Sequence, residues 1–332
     1  MKKILTFLSF FLFCLFFSSS LFSQNTINWL TFQQMEVLQK KEKRPVIIDV
    51  YTDWCGWCKK LDATTYADPN IASYINRNFY AIKFNAETHD SIVFQGKTYK
   101  NRVAGANRST HDLATKLIGE NISYPTTIYL NNESQPTIVV PGYLDANQVL
   151  PFLVYHAEQL NVNTNINDFE DDFKKAFSDE HNDSTHINWI SIEQAVALQK
   201  KVPKKIFVHL KNSFFVSDRV MSQSTFESAD VIKELKNYYC VEIDVMSGDT
   251  IVFQNKTFIN PSPGKTIHQI AFGMLQNQVG FPSVVIINEN ELILAPIKQY
   301  LTGKHLEALL SYFQKDIYLQ KSFPDYIKEA YK

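Results

Sequence analysis

The chain has 332 residues, of which 45% are hydrophobic and 20% are charged, and its formal net charge is −1. This length and apolar content suffice for two ordinary domains, and the intermixed charges give no basic face for nucleic acid. Four cysteines are too few for a fold that disulfides hold together.

The first 23 residues have the pattern of a secretory signal peptide. Two lysines follow the initiator methionine, an apolar run extends from Ile4 to Phe17, and a serine-rich stretch comes next. We expect the mature chain to begin at Gln24 in the periplasm, without Cys14. An uncleaved membrane anchor is the less favoured alternative.

A pair of cysteines stands where a buried strand turns into a helix. The apolar run 46–51 predicts the strand, and Trp54-Cys55-Gly56-Trp57-Cys58-Lys59 follows it. The unpaired N–H groups of a helix N-terminus favour a thiolate and can lower a cysteine pKa from about 8.5 to about 7 or below. We therefore expect Cys55 to be the nucleophile and Cys58 to resolve the mixed disulfide.

This strand, Trp-Cys-x-x-Cys-Lys turn and helix resemble the thioredoxin superfamily. Asp49 matches the buried carboxylate of that family, Lys83 matches the lysine that pairs with it, and Tyr124-Pro125-Thr126 matches the cis-proline loop that faces the disulfide. The resemblance implies catalytic roles for Asp49 and Lys83 beside the two cysteines. The substrate-binding positions are expected to be Trp54, Gly56, Trp57, Tyr124, Pro125 and Thr126.

Asp49 has a role that also follows from its surroundings. A carboxylate in a strand that is apolar on both faces must be paired or used, and burial raises its pKa towards that of a working base. Asp49 would then take the proton from Cys58 during resolution. The alternative is a solvated position at a sheet edge.

The two tryptophans flank the cysteines, and exposed aromatic side chains can hold an extended substrate segment. We expect Trp54 to pack against the fold, as its counterpart does in the superfamily, and Trp57 to lie at the surface. Zinc would need more ligands at short spacing, and haem attachment would need histidine where Lys59 stands. We therefore expect no metal and no cofactor.

The chain repeats itself, which decides its architecture. Ile27-Asn28-Trp29 recurs 160 residues later as Ile187-Asn188-Trp189, and Tyr124-Pro125 recurs as Phe281-Pro282. Alternating strand and helix patterns predict an α/β fold, with two tandem thioredoxin-like folds of mixed sheet flanked by helices. An insertion at 87–107 is expected to hold two short strands about Gly96.

The second copy lacks the redox cysteines. Phe215 stands at the position of Cys55, Asp218 at that of Cys58, His209 at that of Asp49, and Glu242 at that of Lys83. We expect a structural His–Glu ion pair there, with independent acid–base chemistry as the alternative. Cys240 is expected to be a small core residue rather than a third redox partner.

The predicted domains are a signal peptide (1–23), a redox-active domain (24–160), a short helix and linker (161–185), a degenerate domain (186–316) and a helical tail (317–332). The helices near 169–177 and 323–331 are expected to dock on their own domains.

The sequence therefore predicts a periplasmic thiol–disulfide oxidoreductase. It would reduce or isomerise disulfides of exported proteins and draw electrons from a membrane or periplasmic thiol–disulfide donor. Gly56-Trp57 favours a reductase or isomerase over an oxidase. The alternative is a non-catalytic binding or chaperone-like module whose working surface is the degenerate second domain.

Overall fold

The structure is a computed structural model that describes residues 26–102, 108–178 and 187–330. The predicted signal peptide and nearly all of the predicted linker lie outside these residues. Contacts divide the chain into two compact units, one from residues 1–128 and 139–146, the other from 129–138 and 147–332. The domain boundaries drawn from the sequence remain a prediction. Among the described residues, no helix has the length and apolar content to cross a membrane.

The first repeat is built around one five-stranded sheet. Its strands are β1 (Trp29–Leu30), β2 (Val46–Tyr51), β3 (Tyr80–Asn85), β6 (Thr126–Leu130) and β7 (Pro136–Pro141), in the order β1-β3-β2-β6-β7. Its helices are α1 (Phe32–Gln39), α2 (Gly56–Ala63), α3 (Pro69–Asn78), α4 (Asp112–Ile118) and α5 (Ala146–Ala157). Strand β3 pairs in parallel with both β1 and β2.

The insertion of the first repeat forms the predicted hairpin. Strands β4 (Ile92–Phe94) and β5 (Lys97–Tyr99) are antiparallel, and Gln95 and Gly96 connect them. Both connecting residues have positive φ, 51° and 73°, as a two-residue turn between twisted strands requires.

The second repeat has the same topology. Its strands are β8 (Trp189–Ile190), β9 (Ile206–Lys211), β10 (Tyr239–Asp244), β13 (Ser283–Ile287) and β14 (Ile293–Ile297), and their order is β8-β10-β9-β13-β14. The hairpin recurs as β11 (Ile251–Phe253) and β12 (Lys256–Phe258). Its helices are α7 (Ile192–Gln199), α8 (Val216–Gln223), α9 (Ala229–Leu235), α10 (Gln269–Met274) and α11 (Gly303–Gln314). The predicted class of two tandem thioredoxin-like folds is confirmed.

Local sequence signals set where the helices begin. Thr31 and Gln34 form a capping box at the start of α1, and Ser191 and Gln194 repeat it at α7. At α3 the Asp68 side chain accepts hydrogen bonds from two backbone amides, and a proline occupies the first turn.

Strand β2 lies in the middle of its sheet, and this position settles the surroundings of Asp49. The strand is paired with β3 in a register that sets Asp49 opposite Lys83. The Asp49 side chain is fully buried. The alternative of a solvated edge position is therefore excluded.

One amphipathic helix follows the last long helix of each repeat. It is α6 (Ile166–Ala176) after α5 and α12 (Phe323–Ala330) after α11. As predicted, α12 packs on its own repeat: Phe323 lies 5.2 Å from the ring of Tyr312. Helix α6 touches its own repeat, where Phe169 lies 6.0 Å from the ring of Tyr155, but it packs mainly on α8 of the second repeat, so the prediction for α6 holds only in part.

Candidate redox site

A disulfide joins Cys55 and Cys58 at the start of α2, with 5.3 Å between their Cα atoms. Cys55 is the N-cap residue, and its Sγ accepts a hydrogen bond from the backbone N–H of Cys58 at 3.0 Å. A thiolate on Cys55 would thus meet the positive end of the helix dipole, as the sequence predicted.

In this oxidised form both cysteines are covered, with Cys55 4% and Cys58 2% exposed. Gly56 leaves open space beside them, because a Cβ built there would meet no atom within 4 Å. Because Cys55 is almost fully covered, the side chains around it determine which client proteins can reach its sulfur.

Asp49 and Lys83 meet as predicted, and a third residue joins them. The Lys83 Nζ lies 3.1 Å from Asp49 Oδ2 and also contacts the carboxylate of Asp62. Asp62 lies four residues after Cys58 on α2, which places both on the same face of the helix. The group runs from fully buried Asp49 through Lys83 to Asp62, whose side chain is 42% exposed.

The charges of this group are shifted in a way that suits proton transfer. Burial raises the pKa of Asp49 to about 6, although the nearby Lys83 ammonium opposes the shift and the Asp62 charge adds to it. Burial alone would lower the pKa of Lys83, but its contacts with both carboxylates raise it. Among the described residues, Asp49 Oδ1 has no hydrogen-bond donor, so this oxygen can accept a proton.

Trp54 directly precedes Cys55 in the chain and is half exposed, at 50%. It packs edge-on against Tyr124 at 6.1 Å, and its Nε1 donates to the Glu87 carboxylate at 3.0 Å. The guanidinium of Arg108 lies 4.6 Å from its ring centre. The prediction that Trp54 packs against the fold therefore holds only for part of its surface.

Trp57 lies between the two cysteines in the chain and is 58% exposed, as predicted. Its ring contacts that of Tyr143 at 5.7 Å, and the Lys60 ammonium lies 4.8 Å from the Trp57 ring and 5.0 Å from the Tyr143 ring. The Tyr143 hydroxyl is 3.1 Å from that of Thr64, the residue that directly follows α2. Trp57 and Tyr143 thus form an aromatic surface with the Lys60 ammonium against both rings, as Trp54 and Tyr124 form one with Arg108 against the Trp54 ring.

The proline loop completes the site. The Tyr124–Pro125 peptide bond is cis, and the Pro125 carbonyl accepts a hydrogen bond from Gly142 N–H at 2.8 Å. The side chain of Thr126 is buried and donates to the Ser123 carbonyl at 2.8 Å. Thr126 thus supports the loop from inside and presents no side chain to a client, unlike Tyr124 beside Trp54.

The second repeat has a different cluster at the same positions. His209 Nδ1 lies 3.3 Å from Glu242, the predicted partner, but its closer contact joins Nε2 to Asp218 at 2.9 Å. Asp218 also accepts a hydrogen bond from Asn212 N–H. Burial would lower the pKa of His209, but the two carboxylates raise it to about 9. His209 is thus a buried cation between two anions, which agrees with the predicted structural role.

The remaining thiol, Cys240, lies in β10 and is buried and free. Burial raises its pKa to about 12, so it carries little thiolate at neutral pH. The described residues contain no group of three or more histidine, cysteine, aspartate or glutamate side chains placed to hold a metal ion.

Five residues of the site were not found from the sequence: Lys60, Asp62, Glu87, Arg108 and Tyr143. Two of them carried a usable signal. Asp62 has helical spacing from Cys58, and Tyr143-Leu144 recurs as Tyr300-Leu301 in the second repeat.

Residues 31–157 match the family model of a thioredoxin-like domain. A segment of 113 residues, 33% of this chain, is 24% identical to the thiol:disulfide interchange protein DsbD of Salmonella typhimurium and covers 16% of it. A segment of 45 residues, 14% of this chain, is 40% identical to the DsbD protein of Vibrio vulnificus and covers 8% of it. The chain thus spans less than a fifth of the length of these curated relatives.

Among solved structures, a putative disulphide-isomerase from Bacteroides thetaiotaomicron is 23% identical, with a TM-score of 0.30; the match covers 42% of this chain and 96% of that one. A thioredoxin from Thermus thermophilus is 14% identical, with a TM-score of 0.29, covering 39% and 85% respectively.

Proposed function

We propose that this chain, which belongs to the thioredoxin superfamily through residues 31–157, is an exported thiol–disulfide oxidoreductase that reduces or isomerises disulfides of other proteins. The observation that carries the proposal is the disulfide between Cys55 and Cys58 at the N-terminus of α2, where Cys55 Sγ accepts a backbone hydrogen bond. A thiolate is stabilised at such a position, and thiolates are the nucleophiles of disulfide exchange.

The reduced site would act in two steps. The Cys55 thiolate attacks one sulfur of the client disulfide; the client S–S bond breaks, a Cys55–client disulfide forms, and one client thiolate leaves. Cys58 then loses its proton to Asp49 and attacks Cys55 Sγ, which releases the second client sulfur as a thiolate and re-forms the Cys55–Cys58 disulfide. An external dithiol must reduce this pair again. Asp49 suits its part because its pKa is about 6.

The surroundings of the disulfide favour a polypeptide client. Trp54 and Trp57, one residue before and two residues after Cys55, expose large aromatic surfaces, and each ring is contacted by a basic residue, Arg108 or Lys60. Such surfaces can hold an extended segment around a cystine. We propose exported proteins as clients and a membrane or periplasmic thiol–disulfide donor as their counterpart, on the basis of the signal-like residues 1–23. The name of the DsbD relatives, thiol:disulfide interchange protein, agrees with this chemistry.

Reduction of insulin by dithiothreitol tests the proposal. The purified protein should accelerate the reaction, Cys55→Ser should abolish the acceleration, and Cys240→Ser should retain it because that thiol is buried and protonated. Activity that survives Cys55→Ser would contradict the proposed chemistry.

A Cys58→Ala variant identifies the clients. Without a resolving thiol, the mixed disulfide with Cys55 should accumulate in cells, and mass spectrometry then names the trapped proteins. A trap that stays empty under growth conditions counts against reductase and isomerase activity.

A further inference from the structure

The second repeat has a face that corresponds to the redox site, here called the silent face and defined by Phe215, Phe281 and Tyr300. These residues stand at the positions of Cys55, Tyr124 and Tyr143. Phe215 is the N-cap of α8 and packs on Phe281 at 5.6 Å. Unlike Cys55, the Phe215 side chain makes no capping hydrogen bond.

A carboxylate from the end of the first repeat caps α8 instead. Glu158 follows directly after α5; its Oε1 accepts a hydrogen bond from Val216 N–H at 2.8 Å and its Oε2 accepts one from Ser217 N–H at 2.9 Å. These are the first two amides of the helix, which are the donors that an anion at a helix N-terminus uses. In the first repeat, the negative group at the corresponding helix N-terminus would be the Cys55 thiolate. In the second repeat, the Glu158 carboxylate takes that place.

Helix α6 covers the other end of the silent face. The Tyr300 hydroxyl donates to Asp172 at 2.8 Å, and the Tyr300 ring lies 5.2 Å from that of Phe169. Tyr300 is therefore only 2% exposed. The equivalent Tyr143 of the redox site lies partly open beside Trp57.

Two contacts continue this attachment along α8. Lys175 Nζ donates to the carbonyl of Ser224 just after the helix, at 3.2 Å, and the guanidinium of Arg219 lies 4.8 Å from the ring of Phe177. All of these residues belong to the second compact unit. The segment from Glu158 to Phe177 thus contacts both ends of α8 and the silent face.

We propose that the silent face is an internal docking site for residues 158–177 of the same chain and is closed to outside clients by them. The occupant matches the face chemically: a carboxylate meets two helix amides, and aromatic and acidic side chains of α6 meet Tyr300. The second repeat thereby keeps a binding face at the position of the redox site, but the segment bound to this face is residues 158–177 of the same chain. This assignment disfavours the silent face as the working surface of a non-catalytic binding module.

The test places a thiol on the silent face. The test uses full-length protein in which Cys55→Ser and Cys58→Ser remove the redox thiols and Phe215→Cys adds a new one. This new thiol is accessible only when residues 158–177 move away from the silent face. Its modification by a polyethylene-glycol maleimide should be slow. Adding Glu158→Ala should speed it at least roughly tenfold, because two hydrogen bonds to a charged group are lost. Glu193→Ala is the matched control, since that carboxylate also accepts a backbone hydrogen bond in the same repeat, from Val252 N–H of β11, and contacts none of the residues that define the silent face.

Cys240 serves as an internal reporter of folding, since it is buried in the same repeat. If Cys240 is also modified in the Glu158→Ala protein, the milder Glu158→Gln is used, and hydrogen exchange at Val216 and Ser217 should rise in it at least roughly tenfold. Rapid modification of the Phe215→Cys thiol with Glu158 present overturns the proposal. So does exchange at the two amides that does not change in Glu158→Gln.

Discussion

Replacing Asp49 by asparagine should stabilise the first repeat while it impairs the chemistry. Asp49 is fully buried, and its pKa rises from 3.8 to about 6. A shift of about two units means that ionised Asp49 costs about 3 kcal/mol in the folded state. Asparagine resembles the protonated carboxyl in size and charge, so Asp49→Asn avoids this cost.

The gain should depend on pH in a defined direction. Below pH 4 the carboxyl is protonated in both the folded and the unfolded state, so the variant and the parent protein should differ little. Between about pH 4 and pH 6 the unfolded state releases the proton first, and the parent loses stability relative to the variant. Above pH 7 the difference should be constant at up to about 3 kcal/mol.

Urea unfolding of the oxidised protein measures this difference. A Trp189→Phe background leaves tryptophans only at positions 29, 54 and 57, so that fluorescence follows the first repeat alone. The exposed Asp53→Asn is the control and should change stability by less than about 0.5 kcal/mol at every pH. In the reduced enzyme, Asp49→Asn should slow the release of client from Cys55, and the parent's rate of release should rise through pH 6.

Two results would refute this reasoning. If Asp49→Asn is no more stable than the parent at pH 8, the ionised carboxylate is not costly in the fold. If the gain is the same at pH 4 and at pH 8, its cause is packing rather than the charge of Asp49.

The remaining predictions concern three further titratable groups. Asp62→Asn should lower the pKa of Asp49, because one negative neighbour is lost, and should move the pH profile of client release to lower pH by a fraction of a unit. Burial lowers the pKa of His156 to about 4, so the second unit should lose up to about 3 kcal/mol as the pH falls from 6.5 towards 4. His156→Phe should remove most of that loss in acid unfolding experiments. The raised pKa of His209 contributes stability that is present below pH 6.5 and lost as the pH rises through about 9; Asp218→Asn should flatten this alkaline loss.

The order of elements and the reacting pair could be predicted because their signals are local. A buried strand that ends three residues before Trp54 and a cysteine at a helix start need no knowledge of distant contacts. The repeat doubled the helix-start signal, since Thr31 and Ser191 begin equivalent helices with the same capping box. The pairing of Asp49 with Lys83 followed from the family resemblance, and the register of β2 and β3 produces it.

The side chains that surround Trp54 and Trp57 could not be predicted, because most of them come from distant parts of the sequence. Glu87 reaches Trp54 from 33 residues away, and Tyr143 reaches Thr64 from 79. Asp218 is only nine residues from His209, but it was missed as the closer partner because its position suggested only a lost cysteine. Helix α6 carried an amphipathic pattern, but a pattern does not say which surfaces a helix covers.

The two repeats show how the same backbone positions serve different ends. In the first, Lys83 pairs with the buried Asp49 but does not offset the cost of burying its charge, so the pKa of Asp49 is raised; this arrangement weakens the fold and is expected where the group is used. In the second, a buried cation stands between two carboxylates, so each charge is compensated. If function explains the cost of burying Asp49, replacing its charge by a neutral side chain should gain stability at the expense of turnover, whereas removing a carboxylate from the cluster around His209 should not gain stability. The opposite signs of these responses distinguish a working site from one that is only structural.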